Sequence, residues 1–281
     1  MHVVVVTDST AYLPVDLCRS YNLTVVPLTV TVNGMTGLEG LQVQPVEVAR
    51  ALAVRGSTVS TSRPAPAEFA QTYWRLLRSG ADAIVSVHLS AKLSGTFEAA
   101  ALAAAEFGHR VQVVDSATIG MGLGFTALAA AGVAAQGHGL EAVRRTTVDH
   151  AARVSTLFYV DTLEFLRRGG RIGAAAALVG TALSVKPILH VQDGAIVVRD
   201  KVRTAGRALA RLVDLAVEEA ADGHVDVALH HLQEPGQAAA LADELSRRLG
   251  GRLRSCYVAD IGAVVAAHVG PGLAGVVVHR A

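Results

Sequence analysis

Residues 83–100 read AIVSVHLSAKLSGTFEAA, and this stretch decides the fold class. An apolar, β-branched run over residues 83–87 leads through a polar loop into an alanine-rich segment that begins after Gly95. Apolar character on both faces of a strand predicts a sheet that is covered on both sides. The stretch is therefore predicted to be a strand, a loop and a helix, which is the repeating unit of α/β proteins.

Runs of the same kind recur along the chain and alternate with alanine-rich segments. Proline marks predicted helix starts at Pro14, Pro45 and Pro66, because a first-turn residue needs no N–H donor. The predicted strands are residues 3–6, 24–32, 58–60, 83–87, 111–114, 155–160, 188–191, 195–198, 225–229, 255–258 and 276–278. The predicted fold class is α/β, with parallel or mixed sheets and flanking helices.

The length of the chain predicts two α/β domains, because 281 residues exceed the usual size of one domain. A predicted helix over residues 140–153 closes the first half. The domains are therefore predicted as residues 1–154 and 155–281, with a ligand cleft where they join. In the second half, Asp193-Gly194 lies between two apolar runs and predicts a hairpin, hence an antiparallel strand pair.

The composition excludes several classes of protein. Hydrophobic residues make up 51% of the chain and charged residues 17%, which excludes a disordered chain and a coiled coil. The formal net charge is +1, and neither sign is gathered into long runs, so no nucleic-acid partner is expected. A small or apolar ligand fits this charge balance better.

The cysteines and the first residues predict a cytoplasmic protein. Cys18 and Cys256 lack the spacing of metal ligands or of a redox pair, which favours two reduced, buried thiols. The short apolar run before Asp8 has no basic leader, so it is predicted to be a strand and not a signal peptide. Residues 116–140 carry no charge, but their glycine and alanine content favours a buried helix over a membrane span.

Two loops share a design that suits an anion. Residues 59–64 and residues 87–96 each leave a predicted strand and enter a helix, and they carry the hydroxyls of Thr61, Ser62 and Ser94. Such loops lie at the carboxyl edge of a parallel sheet, where helix N-termini offer free N–H groups. The alternative is that these hydroxyls only cap the two helices. Both interpretations stay open.

Two further segments place basic side chains at tight turns. Residues 159–173 contain a short predicted helix that ends in Arg167-Arg168 and a glycine pair, so that Arg171 is displayed on a turn. Arg167 and Arg168 are predicted as solvated surface charges, whereas Arg171 is a candidate anion contact. His268 lies just before a Gly-Pro-Gly turn, and it is a candidate either for a cleft or for the core.

Several well-known motifs are missing. The sequence contains no Gly-Lys dipeptide, so it has no Walker A site for ATP. The glycines of residues 120–124 lack the dinucleotide-binding spacing, and Ser94 does not lie in a G-x-S-x-G nucleophile elbow. His230 and His231 are adjacent on a predicted strand and point to opposite faces, so no metal site is predicted.

Taken in order along residues 4–275, the motifs of this chain resemble those of the DegV family of bacterial fatty-acid-binding proteins. They are TSRPAP at 61–66, LSGT at 93–96, DS at 115–116 with MGLG at 121–124, YV at 159–160 through GGRI at 169–172, KPIL at 186–189 with DG at 193–194, and His268 with GPG at 270–272. The ordered set covers nearly the whole chain and is far more specific than any one of its motifs.

The resemblance implies a protein that holds one long-chain fatty acid, with the carboxylate at the domain junction and the acyl tail in a closed tunnel. Residues 1–154 are then expected to carry the carboxylate-binding loops, and residues 155–281 the acyl-chain pocket. No cofactor and no metal are expected. The chain is expected to be a carrier and not itself an enzyme.

Some members of the family are the lipid-carrying subunit of a two-component fatty acid kinase, in which a separate ATP-binding subunit phosphorylates the bound carboxylate to an acyl phosphate. The missing Walker A motif fits that division of labour. The expected partners are therefore a long-chain fatty acid, such a kinase subunit and, during lipid exchange, a transiently contacted membrane surface.

Individual site residues follow from the matching motifs. The residues expected to contact the carboxylate are Thr61, Ser62, Ser94, Gly95 and His268. Of these, Thr61 and Ser94 are expected to donate hydrogen bonds, Gly95 to let the ligand approach the backbone, and His268 to lie at the mouth of the cleft. Arg171 and Arg203 are expected at the same mouth, in contact with a phosphate or the partner.

The chain departs from the family pattern at three positions. Arg63 stands where the family usually has glutamine, Tyr12 where the first loop often has aspartate, and Gly173 where serine commonly follows the Arg-Ile pair. The first two departures change the charge near the expected head group.

Two other functions stay open. A hydrolase or kinase-like enzyme that acts on a small phosphorylated or acylated metabolite would use the same cleft, with Ser94 as nucleophile and His268 as base at hydrogen-bond distance. A regulatory interaction protein would hold the lipid only as a structural component.

Overall fold

The computed structural model describes residues 1–178 and 185–281, which form an α/β protein of two compact units. The first unit consists of Met1–Thr29 and Ser62–Arg153, and the second of Val30–Thr61 and Val154–Ala281. Residues 30–61 therefore pack with the C-terminal part of the chain. This differs from the continuous halves, 1–154 and 155–281, that the sequence predicts.

The strands and helices alternate along most of the chain. In the described residues the strands are β1 (Val3–Asp8), β2 (Thr24–Val26), β3 (Thr29–Val32), β4 (Met35–Leu38), β5 (Val59–Ser62), β6 (Ala83–His88), β7 (Val111–Asp115), β8 (Val154–Tyr159), β9 (Lys186–Gln192), β10 (Ala195–Val202), β11 (Val225–His231), β12 (Leu253–Asp260) and β13 (Ala274–Arg280). The helices are α1 (Val15–Ser20), α2 (Pro45–Ala53), α3 (Pro66–Arg78), α4 (Thr96–Ala104), α5 (Met121–Ala135), α6 (Leu140–Ala151), α7 (Glu164–Arg168), α8 (Ala205–Ala220), α9 (Pro235–Leu249) and α10 (Ala263–Val269).

The first unit is a parallel sheet with helices on both faces. Its strands lie in the order β2-β1-β6-β7, and every neighbouring pair is parallel. Alternate residues of β1 serve opposite faces: Val3 and Val5 pack with α5 and α6, whereas Val4 and Val6 pack with α3 and α4. Because both faces are buried, the strand is apolar at consecutive positions, as the sequence predicts.

The second unit is built on a mixed sheet in the order β10-β9-β8-β13-β11-β12. Its neighbouring strands are antiparallel except for the parallel pair β11 and β12. Helices α8 and α9 bury Leu212 and Leu245 against this sheet. The hairpin predicted at Asp193-Gly194 is confirmed: it joins β9 to β10, and both residues have positive φ angles of 49° and 78°.

The predicted strand over residues 24–32 is divided in the structure. Its first part is β2, in the parallel sheet, and its second part is β3, in a separate three-stranded sheet of order β4-β3-β5. Pro27 separates the two parts and has no N–H for a ladder. The next N–H, that of Leu28, donates to Ser9 Oγ at 3.0 Å and so also leaves the ladder.

Residues 30–61 are fixed to the second unit by a buried acidic side chain. Glu39, which is 5% exposed, accepts a hydrogen bond from the backbone N–H of Val264 at 2.7 Å, in the first turn of α10. Helix α2 packs against the same helix α10. The strand β4, which the sequence does not predict, follows β3 through Asn33-Gly34, whose φ angles are 49° and 83°.

The uncharged stretch 116–140 contains the helix α5, whose residues are mostly buried. Among the helices of the described residues, none combines the length and the apolarity that crossing a membrane requires. The expectation of two buried thiols is wrong. Cys18 is only partly covered, and Cys256 is exposed because it lies on β12, at the edge of the second sheet.

Candidate functional site

A polar pair in the second unit joins two of the residues that the sequence singles out. Thr61 lies near the end of β5, and His268 lies in the last turn of α10. The Oγ1 atom of Thr61 and the Nε2 atom of His268 are 2.8 Å apart, which is a hydrogen bond. The two residues are 207 positions apart in the sequence, so only the fold brings them together.

His268 is neutral at physiological pH. Burial and, as the smaller cause, the positive charge of Arg171 together lower the pKa of its imidazole to about 4. A neutral imidazole has one N–H donor and one acceptor nitrogen. Its Nδ1 atom is shielded from solvent and has no hydrogen-bond partner among the described residues.

The His268 ring is seated against a glycine. A β-carbon added to Gly169 would lie 2.1 Å from His268 Nδ1. Gly169 itself has an ordinary φ of −75°, so the constraint at this position is the space for the ring. The next residue, Gly170, has a φ of +70° and supplies the left-handed turn that the sequence predicts.

Arg171 is held beside this pair by the same turn. Its Nη1 donates to the carbonyl oxygen of Gly169 at 2.6 Å, and the side chain is partly buried. In contrast, Arg167 and Arg168 are exposed and form ion pairs with Glu164 at 2.8 and 2.7 Å, which confirms them as surface charges. Thr61, His268 and Arg171 therefore form one cluster of two neutral polar groups and one cation.

Arg203 has no hydrogen bond or ion pair that joins it to this cluster of Thr61, His268 and Arg171 among the described residues. It follows β10, precedes α8 and is exposed. Its expected role at a ligand's head group stays a prediction.

The loop that carries Ser94, residues 89–95 between β6 and α4, belongs to the first unit and is called the Ser94 loop. The hydroxyl oxygens of Ser94 and Thr96 are 2.9 Å apart, and α4 begins directly after Gly95 without a side-chain cap. At the start of α3, the backbone N–H of Ala65 donates to the Glu68 carboxylate at 2.6 Å. Neither helix start uses the hydroxyl of Ser62 or Ser94 as its cap, so the capping interpretation of these loops is wrong.

A buried polar chain holds the Ser94 loop. Asp8, at the end of β1, accepts from the backbone N–H of Leu89 at 3.0 Å and contacts His88 Nδ1 at 3.0 Å. His88 Nε2 lies 2.8 Å from Ser86 Oγ, which also accepts from the phenol of Tyr73 at 2.8 Å. The burial of Tyr73 raises its pKa, so the phenol keeps its proton and donates.

The hydrogen-bonded side chains of Asp8, His88 and Ser86 follow the order of a hydrolase triad, which is carboxylate, imidazole and hydroxyl. However, the side chains of Asp8, Ser86 and His88 are fully buried, and the hydroxyl already has Tyr73 as its donor. The arrangement is therefore a loop anchor and not a reaction centre. No sequence motif predicted this anchor; its only signal was that Asp8 and His88 are polar residues at the ends of two apolar runs, which are parallel neighbours in the structure.

Arg63 lies across Gly95 in the first unit. Its Nη1 donates to the carbonyl oxygen of Gly95 at 3.2 Å, and the side chain is exposed. A β-carbon on Gly95 would lie 2.3 Å from that nitrogen. The glycine therefore makes room for the guanidinium of Arg63, the residue that departs from the family pattern. The expected contact of Gly95 with a ligand stays a prediction.

The hydrogen bonds do not pair the two residues of the hydrolase alternative. The Nε2 atom of His268 contacts Thr61, and the hydroxyl of Ser94 contacts Thr96. In the part of the chain that the structure describes, no group of three or more His, Cys, Asp or Glu side chains could hold a metal ion. Hydroxyl, imidazole and guanidinium groups are hydrogen-bond donors of the kind that can bind an anion.

The first unit also contains a surface cleft of about 510 Å³. It is lined by Met1, His2, Val3, Val4, Val5, Tyr21, Asn22, Ala131, Ala134, Ala135 and Gly137, from β1 and the ends of α1 and α5. None of the predicted site residues lies in this lining.

Comparison with known sequences gives consistent matches over the full length. A family model described as an uncharacterised protein of the DegV family matches residues 2–281. A DegV domain-containing protein of Streptomyces coelicolor is 51% identical over 277 residues, which cover 99% of this chain and 98% of that protein.

Comparison with solved structures gives the same result. A DegV family protein of Thermus thermophilus, described by its fatty acid binding, superposes with a TM-score of 0.94 at 34% identity over 100% of both chains. DegV of Bacillus subtilis, described as a fatty acid binding protein, has a TM-score of 0.90 at 31% identity, again over 100% of both chains.

Proposed function

Because the chain belongs to the DegV family, we propose that it binds one long-chain fatty acid. The similar proteins of Thermus thermophilus and Bacillus subtilis, both described as binding fatty acid, support this proposal. The observation that carries it is the contact of Thr61 with His268, two neutral polar groups in a partly buried place.

These two side chains suit an ionised carboxylate. The Thr61 hydroxyl can rotate to donate to a ligand oxygen, and the Nε2 atom of a neutral imidazole can carry a proton to donate as well. Hydrogen bonds to a charged group away from bulk water are stronger than those between neutral groups. The pair would therefore satisfy a carboxylate that binding removes from solvent.

In the first unit, Ser62 and Ser94 would supply further hydroxyl donors, and Gly95 precedes the N-terminus of α4. The backbone N–H groups of that first turn have no side-chain cap and can also donate to an anion. We assign Ser62, Ser94 and Gly95, together with Thr61 and His268, to the carboxylate of the ligand.

The acyl tail would supply most of the affinity. Burial of each methylene group stabilises the complex by about 0.8 kcal/mol before the losses of association. We assign the tail to a pocket within residues 155–281. A photoreactive fatty acid with a diazirine near its methyl end should label peptides of that range, and labelling confined to residues 1–29 and 62–153 would contradict the assignment.

The bound carboxylate would be phosphorylated by a separate ATP-binding kinase subunit. In that step a carboxylate oxygen attacks the γ-phosphorus of ATP, ADP leaves, and the product is an acyl phosphate. This chain would bind and present the acid, without turnover of its own and without a cofactor. The partly buried cation Arg171 and the exposed cation Arg203 would contact the phosphate or the partner, and a membrane surface would exchange the lipid.

Native mass spectrometry of freshly purified protein tests the central proposal. One long-chain fatty acid per chain is expected, and solvent extraction should identify it. A protein that carries no lipid and takes up no added palmitate or oleate would contradict the proposal.

The double variant Thr61→Ala, Ser94→Ala tests the assignment of the head group. Each lost hydrogen bond to a charged group costs about 2 kcal/mol, so uptake of fatty acid should fall strongly while the protein stays folded. Ser60→Ala is a matched control, because neighbouring strand residues point to opposite faces and Ser60 is exposed. Wild-type uptake by the double variant would show that the assignment is wrong.

Arg171→Gln separates lipid binding from phosphorylation. We expect weaker phosphotransfer with the lipid retained, and Arg168→Gln, which removes a surface ion pair, should leave both unchanged. Loss of the lipid from Arg171→Gln would instead place Arg171 in the binding pocket.

A further inference from the structure

The guanidinium of Arg63 is an anchored cation that has no anionic partner among the described residues. Gly95 O is the acceptor recorded for it, at 3.2 Å, and no carboxylate of residues 1–178 or 185–281 forms an ion pair with it. This differs from Arg167, Arg211 and Arg247, each of which pairs with a glutamate or aspartate at 2.5–2.8 Å. An arginine has five N–H donors, and one bond to Gly95 leaves the others available.

The position of the Arg63 guanidinium depends on residue 95 being a glycine. A β-carbon at Gly95 would lie 2.3 Å from Arg63 Nη1 and 3.0 Å from its Cδ, so the missing side chain makes room for the guanidinium. The residues on either side of Gly95 in the sequence, Ser94 and Thr96, have their hydroxyl oxygens 2.9 Å apart, at the uncapped start of α4. The contact of Arg63 with Gly95 thus places a cation from one loop at the start of α4, whose loop carries two hydroxyls and whose first N–H groups have no side-chain cap.

We propose that Arg63 is a specificity-determining residue that selects the charge of the ligand's head group. It favours a phosphate head group over a carboxylate, and a carboxylate over an uncharged group. The proposal rests on the proposed function, since Ser94 is there assigned to the head group. A planar guanidinium forms two parallel hydrogen bonds with a carboxylate or a phosphate, and its attraction grows with the anion's charge.

The test compares ligands that share one tail and differ in head group. Hexadecyl phosphate, palmitate and hexadecanol are titrated into delipidated wild type, Arg63→Gln and Arg63→Lys. Arg63→Gln should weaken hexadecyl phosphate about tenfold or more and palmitate several-fold, and leave hexadecanol unchanged. The affinities of Arg63→Lys should lie between those of wild type and Arg63→Gln, because the ammonium keeps the positive charge but cannot form two parallel hydrogen bonds with one anion.

Arg78→Gln is the matched control. It removes the same charge from an exposed arginine at the far end of α3, about 18 Å along the helix from Pro66. It should bind all three ligands as the wild type does. Thermal unfolding of each variant verifies that the fold is kept, and the exposure of Arg63 predicts no change there.

Three results would overturn the proposal. They are equal affinities of Arg63→Gln and wild type for hexadecyl phosphate, an equal loss for all three ligands, and binding of inorganic phosphate as tight as that of hexadecyl phosphate. The second result would make the role of Arg63 structural, and the third would make this a site for a free anion. Failure of the wild type to bind any of the long-chain ligands would instead refute the proposed function.

Discussion

At Gly169 the chain needs a residue without a β-carbon for a reason that the backbone angles do not reveal. Its φ of −75° is open to every amino acid. The constraint comes from the His268 ring, whose Nδ1 would lie 2.1 Å from an added β-carbon. A single hydrogen atom in place of a methyl group therefore lets His268 reach Thr61.

Gly169→Ala should break the contact between Thr61 and His268. Overpacking costs about 1–3 kcal/mol of folding free energy, and we expect fatty acid affinity to fall with it. Urea unfolding and a palmitate titration measure the two effects. Gly206→Ala is the control, because nothing lies within 4 Å of a β-carbon there. An unchanged affinity of Gly169→Ala for palmitate would show that Gly169 does not contribute to the binding site.

His268 should make the protein less stable as the pH falls. Its pKa is lowered to about 4 in the folded protein, whereas an unfolded histidine has a pKa of about 6.5. Between these values the unfolded chain binds a proton that the folded chain does not, so the free energy of unfolding decreases with decreasing pH. The buried His230, whose pKa burial also lowers to about 4, adds to the same loss.

Urea midpoints at pH 7 and at pH 4.5 check this expectation. The midpoint of the wild type should fall between the two conditions, and that of His268→Gln should fall less. The exposed His109 provides the comparison, because His109→Gln should follow the wild type. An equal fall in His268→Gln and wild type would show that His268 does not contribute.

The residues of the candidate site could be predicted from the sequence better than their contacts. Thr61, His268 and Arg171 are singled out by motifs, because hydroxyls at loop ends and a histidine before a turn are local features. The bond between Thr61 and His268 could not be predicted, since it spans 207 positions and depends on how β5 meets α10. The position of Arg63 over Gly95 depends likewise on the packing of two loops.

At the scale of the elements, the Ser94 loop is anchored through hydrogen-bonded side chains at the ends of two strands, β1 and β6. Asp8 at the end of β1 accepts from the N–H groups of Thr10 and Leu89, at 3.0 Å each, and contacts His88 at the end of β6. The parallel pairing of β1 with β6 brings these groups to the same edge. The anchor therefore connects the sheet directly to the loop that carries Ser94.

Asp8→Asn should destabilise the first unit although it keeps the shape of the side chain. The amide group would face an N–H donor where the carboxylate accepted one, and an unsatisfied buried donor costs about 1–3 kcal/mol. Urea unfolding measures the loss. Asp16→Asn, at a side chain that is 96% exposed, should have the stability of the wild type. Equal stabilities of Asp8→Asn and Asp16→Asn would show that the hydrogen bonds of Asp8 do not stabilise the first unit.

The strands of both large sheets could be predicted because burial on their faces makes them apolar and β-branched. The strand β4 could not be predicted in this way, since two of its four residues, Met35 and Thr36, are exposed. The signal for it was the Asn33-Gly34 turn, whose positive φ angles are close to those of the predicted turn at Asp193-Gly194. The division of residues 24–32 required recognising that Pro27 cannot take part in a ladder.

At the scale of the whole molecule, the chain passes between its two compact units at residues 29–30, 61–62 and 153–154. Only the last of these crossings has a local signal, a predicted helix that ends before a predicted strand. Residues 30–61 contact the second unit through long-range packing such as that of α2 on α10 and through the bond of Glu39 with Val264, over 225 positions. No local pattern encodes such a contact.

A fragment of residues 154–281 should therefore fold poorly by itself. Without residues 30–61 it loses the Glu39 acceptor for Val264 and the cover that α2 gives to α10. We expect it to bind the dye ANS and to unfold at a lower urea concentration than the intact chain. Fusion of residues 30–61 to this fragment through a flexible linker should restore cooperative unfolding, and a fragment that is stable alone would contradict the expectation.

The buried Glu39 also sets an order of events on the ribosome. Translation adds about 5–20 residues per second, so Val264 emerges roughly 10–45 s after Glu39, from which it is separated by 225 positions. During that interval the Glu39 side chain and the buried face of α2, which contains Val48 and Ala51, must remain in solvent or bound to a chaperone. We therefore expect proteases to cleave residues 30–61 of newly made copies more readily until synthesis is nearly complete.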